Sequence, residues 1–250
     1  MCGICGIVTA KHGDKIDDHI LRRMTQAITH RGPDDDGFYV NGQVGLGMRR
    51  LSIIDLVTGD QPVSNEDGKL WVIFNGEIYN YKDLYAEFTA KGHKFATQSD
   101  TEVIVHAYED YGVDCLKFFN GMFAFALWDE SQKRLLLARD HLGIKPLYYW
   151  LGGDRIIFGS ELKSIILHPA VVKEIDLEAL DQFLTLEYIP TPRTIFKNIY
   201  KLPPGHRLIY QDGQHQVEKY WDIPDLDTPR DEMIVQEMLV DLIDDAVKMQ

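Results

Sequence analysis

The chain has 250 residues, 45% of them hydrophobic, and a formal net charge of −13. That length and apolar share allow a large core without staples, and the acid excess with no basic run excludes general affinity for nucleic acid. Three cysteines cannot all pair, no apolar stretch nears the roughly 20 residues of a membrane span, and the N-terminus lacks the basic start of a signal peptide, so a reducing, cytoplasmic location is expected.

In chain order, residues 3–8 read as a short apolar strand that would hold Cys2 at its start. Asp17 or Asp18 can cap a helix with the stripe Ile20, Leu21, Met24, Ala27 and Ile28, which ends before the turn chemistry of His30-Arg31-Gly32-Pro33-Asp34. Residues 38–40 and 44–48 are strand-like around Asn41-Gly42, a hairpin signal. Residues 49–55 then leave the sheet and residues 59–62 form a loop. The apolar run 70–74 reads as a strand ending at Asn75-Gly76-Glu77, which presents a small polar side chain beside an unhindered N–H. A helix over 83–90 stops at Gly92. Ser99 and Glu102 fit a capping box for a helix reaching Gly112, which puts Asp100 at a positive helix end.

Residues 123–128 and 134–138 form a second hairpin, and strands at 147–150 and 155–158 turn through Gly152-Gly153-Asp154. Strands at hairpin spacing with helices before and after predict an α+β domain with mostly antiparallel sheets. From Ser164 the texture changes. Asp176 caps a helix with Leu177, Leu180, Phe183 and Leu184, and the prolines at 190, 192, 203 and 204 suggest the edge of the domain. Residues 224–229 read as a linker. A helix that starts at Thr228-Pro229-Arg230-Asp231 carries Val235, Met238, Leu239, Leu242, Ala246 and Val247 along one face. An apolar stripe with nothing after it to cover it is expected to belong to a further domain or to dock on a partner.

Cys2 offers the sharpest chemistry. Once Met1 is removed, one residue carries a thiol and a free α-amino group, and an amine of pKa roughly 8 can take the proton of a thiol of roughly 8.5. Nucleophile and base then coincide, which suits amide cleavage through a thioester; the competing reading is a small, inert, buried cysteine. Cys2-Gly3-Ile4-Cys5 is formally C-x-x-C, but it precedes a strand where a redox pair would open a helix, and Cys115 provides no second pair for zinc. With no ligand spacing among the nine histidines, no metal is expected.

Together, Met1-Cys2-Gly3-Ile4, His30 to Asp34, Arg49-Arg50-Leu51-Ser52-Ile53, Phe74-Asn75-Gly76-Glu77-Ile78-Tyr79-Asn80, Ser99 to Glu102 and Arg139-Asp140-His141-Leu142-Gly143 resemble the class II glutamine amidotransferase domain of glutamine-hydrolysing asparagine synthetases. The resemblance implies a four-layer αββα sandwich of the N-terminal-nucleophile hydrolase type, with a glutaminase domain over residues 2–220 and, over 221–250, a linker and the first helix of a synthetase domain. It implies that Cys2 attacks the side-chain amide of L-glutamine and that Asn75 and the Gly76 N–H steady the oxyanion. Arg50 would take the substrate carboxylate, Asp100 with Glu77 its ammonium, and Leu51, Ser52, Ile53 and Ile54 would line the pocket. The loop 30–34 and the turn 139–143 are read as structural support.

No cofactor is expected for glutamine hydrolysis. ATP and Mg²⁺ belong to the expected synthetase domain, whose Ser-Gly-Gly pyrophosphate loop does not occur in the chain. That C-terminal domain is the expected partner, membranes and nucleic acids are not, and a homodimer is compatible with the sequence. Two alternatives stay open: an amidotransferase half that serves a different carboxylate acceptor, and a non-catalytic domain of the same fold if Met1 is retained.

Overall fold

The computed structural model describes residues 2–10, 14–52, 55, 58–224 and 232–249. The strand at the N-terminus, β1 (Gly3–Thr9), is buried along its whole length. It lies between β3 (Val44–Arg50) and β9 (Arg155–Gly159), so its two edges are paired and its two faces covered. The first sheet has six strands in the order β10 (Ile199–Lys201), β8 (Tyr148–Gly152), β9, β1, β3 and β2 (Asp35–Asn41). The second also has six: β12 (Gln214–Lys219), β11 (His206–Gln211), β7 (Arg134–Arg139), β6 (Gly121–Asp129), β5 (Leu70–Ile78) and β4 (Val63–Ser64). Each pairing described is antiparallel.

Alternation along each strand builds the layers, because successive side chains point to opposite faces. Ile4 and Val8 of β1 turn inward onto Ile73, Ala126, Trp128 and Leu137 of the second sheet. Cys5 and Ile7 turn outward onto Leu21, Met24 and Ile28 at helix α1 (Asp18–Gln26) and onto Ile165 of α4 (Leu162–Ile165). On the far side, Val72, Phe74, Phe125 and Leu127 meet Leu84 and Phe88 of α2 (Tyr81–Lys91) and Val103, Ile104 and Ala107 of α3 (Glu102–Tyr111). The result is the four-layer αββα sandwich.

Several local expectations change. The strand expected to end at Phe74 continues to Ile78, because β6 goes on pairing with it through Asn75↔Ala124 and Gly76↔Phe123. Residues 199–219, expected to lie at the domain edge, supply β10 to the first sheet and β11 and β12 to the second. The capping box does not close: the Glu102 carboxylate accepts from the N–H groups of Ala96 and Thr97 at 2.7 and 2.6 Å, and Ser99 Oγ accepts from Thr101 N–H at 3.2 Å. The Asp17 and Asp176 caps form, the latter accepting from Glu178 and Ala179 N–H at the start of α5 (Leu177–Leu186). The last helix, α6, spans Glu232–Met249, and its expected start at 228–231 lies outside the described residues. Leu177, Leu184, Leu239, Leu242 and Val247 of α5 and α6 are exposed. Among the described residues no helix is long and apolar enough to cross a membrane.

Candidate active site

Two strands that face each other across the sandwich bring the site together. Cys2 immediately precedes β1 and, two residues before Ile4, packs against the inter-sheet core. On β5, Asn75 and Glu77 continue the row of Ile73, which faces the same core. A cleft opens where these rows end, lined by Cys2, Arg50, Leu51, Asn75, Gly76, Glu77 and Asp100, and also by Gly59, Gln61, Phe74, Ser99, Thr101 and Lys145. Of the residues expected at the site, Ser52 lies one position beyond this lining, and Ile53 and Ile54 lie outside the described residues.

Cys2 is a free thiol, partly exposed. Its Sγ accepts from Leu51 N–H at 3.4 Å and lies 3.7 Å from the Leu51 carbonyl. Its own carbonyl accepts from Arg31 Nε at 2.9 Å. Cys5, three residues on, points to the opposite face, with Sγ 3.3 Å from Thr25 Oγ1, and burial pushes its thiol up to about 12. The two cysteines of the C-x-x-C are therefore on different faces of one strand and do not form a pair.

Asn75 is buried, and among the described residues its Nδ2 has no hydrogen-bond partner. A buried amide donor usually finds an acceptor, and none of the described residues provides one here. Gly76 has no room for a side chain, since a Cβ there would stand 2.2 Å from the Met122 carbonyl oxygen. The close approach of β6 requires glycine at this place.

The Arg50 guanidinium is nearly buried. It donates to Asp60 Oδ1 at 2.6 Å and to the Asp55 carbonyl at 2.5 Å, which fixes the plane of its fork at the cleft wall. Opposite in charge, Asp100 is 5% exposed and accepts from Ile78 N–H at 3.0 Å through Oδ2. Burial pushes its carboxyl up to about 6, against the hydrogen bonds from Ile78 and Ser99, and the charge of Glu77 adds to the rise. The cleft thus holds a fixed cation, a pair of carboxyl groups, a thiol and an unpaired amide donor.

The two motifs read as support make contacts of that kind. In the first, Arg31 holds the Cys2 carbonyl, Asp34 Oδ2 accepts from Ser52 N–H at 2.9 Å, and Arg49 Nε donates to the Gly32 carbonyl at 2.8 Å. In the second, Arg139 donates to the carbonyls of Gly143, Lys145 and Leu202 at 2.7 to 2.8 Å, and Asp140 accepts from Phe123, Ile144 and Lys145 N–H. This second motif delivers a residue that sequence reasoning missed. Lys145 is buried in the cleft wall, and burial lowers its pKa while the negative charges of Glu77 and Asp140 oppose that shift. The signal for it in the sequence is its place just after the Arg139 to Gly143 turn.

An αββα sandwich with a thiol at the head of a central strand of the first sheet is the architecture of the N-terminal-nucleophile hydrolases. Solved structures agree: the chain is similar to the glutamine phosphoribosylpyrophosphate amidotransferase of Bacillus subtilis (TM-score 0.62, 21% identity, 88% of this chain and 49% of that one). It is also similar to a structure described as the allosteric regulatory enzyme of purine biosynthesis (TM-score 0.64, 21% identity, with 88% and 49% covered). At that identity the likeness concerns the fold. Residues 1–221 match the family model of the glutamine amidotransferase domain, and the chain belongs to that family.

Among curated proteins, the chain is 42% identical over 226 residues to glutamine-hydrolyzing asparagine synthetase 1 of Bacillus subtilis, with 88% of this chain and 35% of that protein covered. It is 36% identical over 236 residues to the amidase chry2 of Gibberella zeae, with 89% and 34% covered. The chain spans about a third of the length of these relatives.

Proposed function

We propose that this chain hydrolyses L-glutamine to glutamate and ammonia with Cys2 as nucleophile, and that it is the ammonia-supplying half of an asparagine synthetase. The observation that carries the reading is the buried Nδ2 of Asn75, without a partner among the described residues, in the same cleft as the Cys2 thiol. An oxyanion donor has to be in place before charge develops, and it then lacks a partner in the resting enzyme.

With Met1 removed, the Cys2 amine takes the thiol proton and sulfur attacks the side-chain carbonyl carbon of glutamine. The tetrahedral oxygen is held by Asn75 Nδ2 and the Gly76 N–H. As the C–N bond breaks, the amine returns its proton to the leaving nitrogen and ammonia departs. Water then adds to the thioester, glutamate leaves and the thiol is restored. Arg50 presents a planar fork to the substrate α-carboxylate, and Asp100 with Glu77 meets the α-ammonium. Ser52, Ile53 and Ile54, which follow Leu51 in the chain, are proposed to contact the substrate with it. No cofactor takes part in these steps.

The domain extends over residues 2–220, with 221–250 leading into a synthetase domain that holds ATP and Mg²⁺ and docks on the exposed apolar faces of α5 and α6. A cytoplasmic setting suits such an enzyme. A second reading, a different carboxylate as acceptor, is favoured by one observation: the amidase chry2, at 36% identity, carries a name other than asparagine synthetase.

The test is release of glutamate and ammonia by the purified chain, together with its intact mass. The expected results are a mass without Met1, a covalent glutamyl adduct on Cys2 after rapid quenching, and loss of activity in Cys2→Ala. Activity that survives Cys2→Ala overturns the proposal, and retained Met1 with no turnover favours a non-catalytic domain.

A further inference from the structure

The helical layer outside the second sheet gathers four metal-ligating side chains. Glu109 Oε2 stands 2.8 Å from His106 Nδ1 and 3.3 Å from His93 Nδ1, and His106 Nδ1 stands 3.9 Å from Glu66 Oε2. One atom from each of the four lies within 4.8 Å of the others. Ligand atoms around a tetrahedral zinc ion with bonds of about 2.0–2.1 Å are spaced by about 3.3 Å, which falls among these distances. His106 and Glu109 share a face of α3 at i and i+3. His93 follows the Gly92 cap of α2, and Glu66 sits in the turn before β5.

The surroundings of the four residues supply an independent observation. A metal-binding histidine usually turns its other nitrogen to a carboxylate or carbonyl, which sets the tautomer and the ring plane. His93 Nε2 lies 3.0 Å from Asp110 Oδ1. His106 is completely buried, its Nε2 has no hydrogen-bond partner among the described residues, and that nitrogen faces Glu102 Oε1 at 3.7 Å. Glu109 is oriented as well: Asn65 Nδ2 donates to Oε1 at 2.8 Å, which leaves Oε2 turned to the two imidazoles. Two carboxylate ligands balance a dication, and the partly exposed edges of Glu66 and Glu109 give the ion a path from solvent.

We infer that Glu66, His93, His106 and Glu109 form a binding site for a divalent transition-metal ion, with Zn²⁺ as the best match to two imidazoles and two carboxylates. The ion is structural. It ties α3 to the link after α2 and to the turn that leads into β5, and those segments carry Asp100 and Asn75 to the cleft. Only His106 and Glu109 stand close in sequence, while Glu66 and His93 lie far from them, so the sequence shows no recognisable ligand motif and no metal is expected from it. An ion-pair network among these side chains would use the same contacts, and the experiment separates the two.

Untagged full chain is stripped with a chelator and titrated with Zn²⁺ against a chromophoric competitor, with Cys2→Ala titrated in parallel so that the thiol is not the ligand. The expected result is one Zn²⁺ per chain in both proteins, an affinity lowered about 100-fold or more in His93→Ala and in Glu109→Gln, and a Zn²⁺-dependent rise in melting temperature that these variants lack. Both replaced side chains are partly exposed, so the metal-free variants are expected to keep the wild-type circular dichroism. Co²⁺ in place of Zn²⁺ gives the visible bands of a tetrahedral site. Absence of stoichiometric uptake, or equal uptake by wild type and His93→Ala, overturns the inference.

Discussion

Arg31 donates through Nε to the main-chain carbonyl of Cys2 at 2.9 Å, so a side chain from the loop after α1 holds the residue proposed as nucleophile. The same guanidinium reaches Glu161 Oε1 at 3.1 Å through Nη1, which anchors it from the far side. Arg31 acts through Cys2 and is a positioning residue. In Arg31→Met the Cys2 backbone loses its tether, and kcat is expected to fall about tenfold or more while KM for glutamine changes little, because a displaced nucleophile loses attack geometry and not substrate contacts. Steady-state glutamate release measures the split. A raised KM with unchanged kcat would count against this role.

Asn75→Ala separates the oxyanion reading from a structural one. Its Nδ2 makes no hydrogen bond within the described structure, so the donor contributes nothing through a partner to the fold. Loss of one preorganised oxyanion donor typically costs about 10² to 10³ in rate. The variant is therefore expected to lose kcat by that factor while its melting temperature moves by only a few degrees. A large drop in stability with proportionate activity loss would mean the amide serves packing instead.

The carboxyl of Asp100, pushed up to about 6 by burial from an ordinary value near 3.8, gives a pH dependence with a definite sign. Between these two values the unfolded chain has already released the proton that the folded chain keeps. Folding then binds more protons, so stability attributable to this group falls as pH rises from about 4 to 6. The catalytic dependence runs the other way. With Asp100 meeting the glutamine ammonium as proposed, the ionised form is required, so kcat/KM is expected to decline as pH drops through about 6, with the free enzyme's group setting the midpoint. Asp100→Asn is expected to flatten the stability slope and to raise KM at every pH. A wild-type acid limb identical to that of Asp100→Asn would assign the titration elsewhere.

Much of this arrangement was visible in the residue order, and what was hidden has physical reasons. The apolar run of β1 and the cap at Asp17 are local, and both are present. The motifs around Cys2, Arg50, Asn75 and Asp100 could be quoted from the sequence, and the cleft contains all four. Strands β11 and β12 were hidden because β12 is an exposed polar edge strand, Gln-His-Gln-Val-Glu-Lys, without the apolar rhythm that marks a buried strand. Asp212-Gly213, between them, was the available signal. The Ser99 to Glu102 pattern misled because Glu102 reaches an N–H pair upstream of the helix, at Ala96 and Thr97, which spacing within the motif does not reveal. Lys145 enters the cleft only because Arg139 and Asp140 fix the backbone around it.

Gly32 tests whether the loop 30–34 is a clamp. Its φ of −141° is open to any residue, so the constraint is space. A Cβ at this position would stand 2.3 Å from the Arg49 carbonyl carbon and 2.5 Å from the Arg50 nitrogen, and backbone cannot swing aside as a flexible side-chain tip can. Gly32→Ala therefore has to push the loop away from β3. That movement lengthens the Arg31 contact to Cys2 and the Asp34 contact to Ser52 together. The expected outcome is a stability loss of about 1–3 kcal/mol, the range for overpacking, with a fall in kcat larger than that of Arg31→Met. Gly42→Ala is the control: φ is +55° with nothing within 4 Å of the added Cβ, so it should cost about 1–2 kcal/mol of strain and leave kcat unchanged. Urea denaturation and glutamate release on the two variants decide the matter, since equal kcat in both would mean that crowding at Gly32 is absorbed without reaching the thiol.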